Sequence, residues 1–178
     1  MLSLFFQLSM DWVFQARGMV EVMTPCSIAR SLEVLGERWT FLVVREAFLG
    51  TTRFADFRAT LGVAPDILTA RLNTLVSAGV LERVPYQEPG TRQRFEYRLT
   101  SAGQELQVVL GALQQWGDSH DPYPPGPTYL RRSVDGRPLH VAFVDDRGQE
   151  VPLPDVRMIK TSVHPDLVAL RGDPQPES

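Results

Sequence analysis

Asp66, Thr69, Ala70 and Asn73 recur three and four residues apart, the spacing that brings side chains onto one face of an α-helix. The chemistry open to them is recognition rather than bond-making. An asparagine amide can pair bidentately with adenine, a carboxylate can accept from cytosine, and a threonine can serve a phosphate or a thymine methyl. The plain alternative for each is a solvated helix face. Arginines stand around this set in the chain: Arg53 and Arg58 flank the preceding segment, and Arg92 and Arg94 tip or border a loop carrying Pro89-Gly90. These are the natural phosphate ligands. Arg71 lies nearer the edge of the apolar stripe, where an acidic partner would suit it as well as a phosphate. No nucleophile with base and orienter, no Gly-rich phosphate loop and no metal-ligand cluster occurs in the chain, so the expectation is a protein that is not an enzyme and needs no cofactor.

The elements that must position these residues follow from periodicity. Ile28, Leu32 and Leu35 predict a helix over 27–35 that Gly36 ends, and the nearly all-apolar run Trp39 to Leu49 predicts a helix at the centre of a small bundle. Phe54, Phe57 and Leu61 give a short third helix. Gly62-Val63-Ala64 then turns the chain into a fourth, about 65–78, opened by Pro65 and striped by Leu68, Leu72 and Leu75. Ala64 has no side chain able to cap that helix. Two helices joined by about three residues have the length of a helix-turn-helix. After Gly79, Val80–Val84 and Phe95–Leu99 read as two strands around an exposed loop, the wing at 85–94. Thr100 or Ser101 caps a fifth helix, with Ser101 and Gln104 spaced for a capping box and Leu106, Val109, Leu110, Leu113 and Trp116 as its stripe. A helix-turn-helix followed at once by an Arg-tipped hairpin is a winged helix, whose second motif helix enters the major groove.

Composition bounds the rest. The 178 residues are 43% hydrophobic and 22% charged, those of an ordinary globule, with a net charge of −3 that predicts no general affinity for polyanions. Residues 26–118 hold ten basic and ten acidic side chains. A single cysteine, Cys26, excludes an intrachain disulfide and suits the cytoplasm. Residues 1–23 begin with an apolar run lacking the basic flank of a signal peptide and too short to span a bilayer, so no membrane partner is expected. They read either as an amphipathic dimerisation helix or as leader sequence from an upstream start. Residues 120–127 form a Pro-rich linker. Residues 128–178 read as a small β meander of three segments, Tyr129–Val134, Leu139–Val144 and Val151–Ile159, turned at Asp135-Gly136 and Asp146-Arg147-Gly148, with a disordered tail from Pro174. The fold class is thus mostly α with a β-wing, plus that meander.

Cys26 through Thr40, Arg53-Phe54, Leu68 to Leu72, Gly79 to Arg83 and Arg94 to Thr100 together resemble the HxlR-type bacterial winged-helix transcriptional regulators, over roughly 24–118. The loop around Gly90-Thr91-Arg92 is slightly longer than that family's usual one. The resemblance implies a winged helix at 24–119, a homodimer joined mainly through the first and last helices, and a double-stranded DNA partner with a partly palindromic operator. Some members carry a carboxy-terminal zinc ribbon with paired cysteines; here Asp135-Gly136 and Arg147-Gly148 stand at the matching turns, which implies a metal-free version. Some respond to oxidants through a cysteine at the place of Cys26. At the amino end of a helix, where the dipole favours the thiolate, redox sensing is one reading of Cys26, and a small buried packing residue is the other. Two rival functions stay open: a winged-helix protein-interaction module without DNA binding, and a sensor of an unknown small-molecule effector with a pocket between Trp39 and Trp116. Both tryptophans are otherwise expected in the core.

Overall fold

The computed structural model describes residues 26–161, so the expectations for 1–23 and for the tail from Pro174 lie outside the described residues. Residues 31–159 form one compact unit. The elements run α1 (Ser27–Leu35), α2 (Arg38–Phe48), α3 (Phe54–Leu61), α4 (Pro65–Ser77), β1 (Leu81–Tyr86), β2 (Arg94–Leu99) and α5 (Ser101–His120), followed by two short strands, β3 (Phe143–Val144) and β4 (Glu150–Val151).

Helix α2 is the hub, touching α3, α4, α5 and β2. Its Val43 and Val44 are fully buried, and they meet Phe57 of α3, Leu68, Leu72 and Leu75 of α4, Leu81 of β1 and Tyr97 of β2 in one core. Each fully buried Leu or Phe contributes about 1.5–3 kcal/mol, so the α4 stripe is a main anchor of the unit. Gly62 ends α3 at φ +62°, a left-handed conformation that costs glycine little, and its N–H donates to the Arg58 carbonyl. The chain can therefore reverse into α4 within three residues. No side chain caps α4, as the alanine at position 64 foretells, but Asp66 puts a carboxylate in its first turn, where the dipole favours it.

Strands β1 and β2 pair antiparallel from Leu81 opposite Leu99 to Tyr86 opposite Arg94. The far edge of β2 is also occupied: Arg53 bridges to Glu96, and the Tyr97 N–H donates to the Thr52 carbonyl at 2.8 Å. Strand β1 is thus an edge, which lets it continue past its expected end through Pro85, a residue without an N–H to offer. Thr100 is the cap of α5, its hydroxyl accepting from the Gly103 N–H. Because the third helical residue is then Gly103, the Ser101–Gln104 box does not form. Gly103 is packed so closely that a Cβ there would lie 2.1 Å from the Val80 carbonyl oxygen.

The carboxy-terminal segment belongs to the same unit and folds back along α5. Gln115 meets the backbone of Val141 twice, donating to its carbonyl at 2.9 Å and accepting from its N–H at 2.8 Å. Gln114 donates to the Tyr129 carbonyl, Arg131 pairs with Asp118 at 3.5 Å, and the Arg45 guanidinium sits 5.5 Å over the Tyr129 ring. The three expected strands are much reduced. Two hairpins form at the foreseen turns, one held by a single bridge between Arg132 and Pro138 and the other by the two-residue pair β3–β4. The third segment is instead a 3-10 turn, Leu153–Asp155, and irregular chain, because Pro152 and Pro154 remove the N–H groups a ladder needs. In the second hairpin Asp145 organises the turn by accepting from the N–H groups of Arg147 and Gln149.

Parts of two apolar stripes face solvent, although Leu106 and Leu110 of α5 pack on the core. On α1 only Leu35 is buried, with Leu32 54% exposed; on α5 Val109 and Leu113 are exposed and Trp116 is 64% exposed, stacked on His120 at 4.9 Å. A core place for Trp116 is therefore overturned: among the described residues it stacks on His120 and does not enter the core. Trp39 is half-buried and packs on the core as expected.

Candidate nucleic-acid interface

With Leu68, Leu72 and Leu75 turned inward, α4 carries Asp66, Thr69, Ala70 and Asn73 on its exposed side. The four are brought onto one helix face as their spacing required. Their hydrogen bonds refine the chemistry. Thr69 donates its hydroxyl to the Pro65 carbonyl at 2.7 Å, which leaves its methyl group and oxygen lone pairs as its outward offering. Asn73 does not stand alone: its Oδ1 accepts from Nη2 of Arg83 at 3.0 Å. Arg83 rises from β1 opposite Tyr97, and its guanidinium lies 5.7 Å from the ring centres of both Phe95 and Tyr97. It ties the exposed face of α4 to the wing. Sequence reasoning missed it. The signal that could have found it is the alternation of β1, which puts Arg83 on the same sheet face as buried Leu81 and so toward α4.

The flanking arginines sort into two groups. Arg53 is committed to the fold, with Nη1 3.0 Å from Glu88 and the guanidinium 4.6 Å over the Tyr86 ring, so it braces the wing from the strand beside α3. Arg71 is three-quarters buried and reaches only to 3.9 Å from Glu37. Arg45 pairs with buried Glu46, and Arg98 with Glu96. Arg58 on α3, Arg83 on β1, and Arg92 and Arg94 in the wing make no ion pair among the described residues. A shallow groove lined by Ala55, Arg58, Ala59, Gly62 and Pro65 runs from Arg58 to the uncapped start of α4. Four of the ten acidic side chains that cancel the domain's charge, Glu37, Glu46, Glu88 and Glu96, pair with arginines other than these four.

Cys26 is exposed and directly precedes α1, which overturns its reading as a buried packing residue. Two surface clefts, one lined by Val108, His140, Val141 and Glu150 and the other the groove at Arg58, include neither Trp39 nor Trp116. No helix among the described residues is long and apolar enough to cross a membrane.

Residues 34–123 match the family described as HxlR-like helix-turn-helix. An uncharacterized HTH-type transcriptional regulator of Mycobacterium tuberculosis is 46% identical over 101 residues, 57% of this chain and 63% of that protein, so the chain spans a little under two thirds of this relative's length. A second such regulator, from Synechocystis, is 37% identical over 93 residues, 52% of this chain and 67% of its own. Among solved structures, the candidate transcription factor PA1607 superposes with a TM-score of 0.68 at 37% identity, over 78% of this chain and 97% of its own. PA1374 from Pseudomonas aeruginosa, also a candidate transcription factor, gives 0.57 at 36% identity over 82% of this chain and 99% of its own. No alignment confined to residues 1–123 could reach those shares of 178, so both likenesses take in part of the carboxy-terminal segment. The fold is a winged helix, and the chain belongs to the HxlR-like helix-turn-helix family of transcriptional regulators.

Proposed function

We propose that the protein regulates transcription in the cytoplasm as a homodimer bound to a partly palindromic operator. Helix α4 enters the major groove of each half-site and the wing loop lies on the adjacent groove or backbone. The observation that carries this reading is the coincidence of an exposed polar face on α4 with four arginines, 58, 83, 92 and 94, that make no ion pair among the described residues. Asp66, Thr69, Ala70 and Asn73 meet base edges; Arg58, Arg92 and Arg94 meet phosphates; Arg53 and Arg71 act from behind, holding the wing and α4 in place. The exposed apolar residues Ile28 and Leu32 of α1 and Val109, Leu113 and Trp116 of α5 support a second copy as the cover for those helices. Two readers then meet two half-sites about one helical turn apart.

The test is fluorescence anisotropy of the purified chain on duplex from immediately upstream of its own gene, against scrambled duplex, at two salt concentrations. The expected result is preference for the native duplex and a steep fall with salt, both abolished by Arg94→Glu. A folded dimer that ignores every duplex at low salt refutes the reading. The interaction-module alternative, motivated by the domain's zero net charge and by Asp66, predicts that Arg94→Glu leaves regulation in cells intact.

A further inference from the structure

Asn73 on a reading helix would ordinarily serve adenine, its amide oxygen accepting from the base's N6 amino group while its amide nitrogen donates to N7. The partner that this fold gives Asn73 changes that. A guanidinium has only donors, so the atom of the amide facing Arg83 is the oxygen, and chemistry fixes the orientation of the carboxamide. Arg83 itself is held by Phe95 and Tyr97 and makes no ion pair among the described residues. One of the two Oδ1 lone pairs is thus taken, and what the pair offers outward is dominated by donors: two N–H of Asn73 Nδ2 and the remaining N–H groups of Arg83. An adenine amino group approaching Oδ1 would bring its hydrogen against those of a cation already there. Guanine presents only acceptors, N7 and O6, on the same edge.

We infer that Arg83 is a specificity-determining positioning residue that turns Asn73 from an adenine reader into a guanine reader by taking one Oδ1 lone pair and setting a cation beside the other. The inference rests on the DNA-binding reading above. It assigns a base choice to a residue on the wing strand, outside the helix that enters the groove.

The experiment is selection of bound duplexes from a randomised pool by the full chain. Asn73→Ala, which erases preference at one position in each half-site, identifies the position concerned. There the wild type prefers guanine over adenine by about tenfold, and Arg83→Met reverses the order by a similar factor while other positions keep their bases. In parallel, 7-deazaguanine placed at that position weakens the wild type about tenfold, a measurement that needs no altered Arg83. Adenine preferred by the wild type, an unchanged base in a folded Arg83→Met, or indifference to 7-deazaguanine each overturns the inference and leaves DNA binding standing. A wild type that enriches no sequence at all overturns the underlying reading instead.

Discussion

Replacing Gly103 and Gly117 by alanine makes the same chemical change twice on α5 with opposite expected signs. At Gly103 the new Cβ would meet the Val80 carbonyl oxygen at 2.1 Å, and the Val80 carbonyl carbon and Leu99 Cδ2 at 3.1 Å. Carbon and oxygen sit about 3.3 Å apart even in close C–H···O contacts, so helix and strand must part by roughly 1 Å. The obstacle is backbone that also accepts from the Thr100 N–H, so no side chain can swing aside. Overpacking of this kind costs about 1–3 kcal/mol, and the better helix propensity of alanine returns at most about 1 kcal/mol. A net loss of about 1 kcal/mol lowers the melting temperature of a chain this size by about 2–4 °C. At Gly117 nothing lies within 4 Å of the added methyl, so only the propensity gain remains. The melting temperature should rise there, by about 1–4 °C. Thermal melts followed by far-UV circular dichroism read both. A Gly103→Ala variant that melts at or above the wild type, or two variants that shift together, would show that the α5–Val80 contact does not constrain the fold as described.

Thr100→Ala removes both the acceptor for Gly103 N–H and the donor to the Gly79 carbonyl, and should cost about 1–2 kcal/mol as a lowered urea midpoint at unchanged slope. Gln115→Ala leaves the N–H and carbonyl of Val141 without their partners. Hydrogen exchange at Val141 should quicken by roughly tenfold, the equivalent of about 1.4 kcal/mol, while amides of α4 keep their protection. Arg92→Ala should reduce the slope of log affinity against log salt by about 0.9 if that side chain meets one phosphate; an unchanged slope removes Arg92 from the interface.

The helices and the wing were legible because their signals are local. Apolar residues at helical spacing, Gly62, Pro65 and the alternation of β2 each act within a few residues, and α1 to α4, with the start of α5, lie within about a residue of where those signals put them. The carboxy-terminal segment was not legible in the same way. Its backbone partners are side chains on α5, and nothing in the spacing of Tyr129 to Val144 indicates that Gln115 will stand where a neighbouring strand was expected. Trp116 misled because periodicity reports that a face is apolar, not whether this copy or another covers it. At the candidate interface, position on the helix face was readable for Asp66, Thr69, Ala70 and Asn73. The state of each group was not, since it depends on Arg83 ten residues away and on hydroxyls that bond to their own helix.

The sorting of arginines bears on how such a regulator would share its time among DNA sequences. Long-range attraction to any duplex scales with net charge, and here that sum is zero for residues 26–118, so indiscriminate sticking to the chromosome is weak. On the proposed reading the cations at 58, 83, 92 and 94, which make no ion pair among the described residues, would act within about a Debye length, ~8–10 Å, as α4 and the wing seat. A reader built this way gains its margin over competing sites by disfavouring the wrong ones, and a modest intracellular copy number would suffice to keep a good operator occupied.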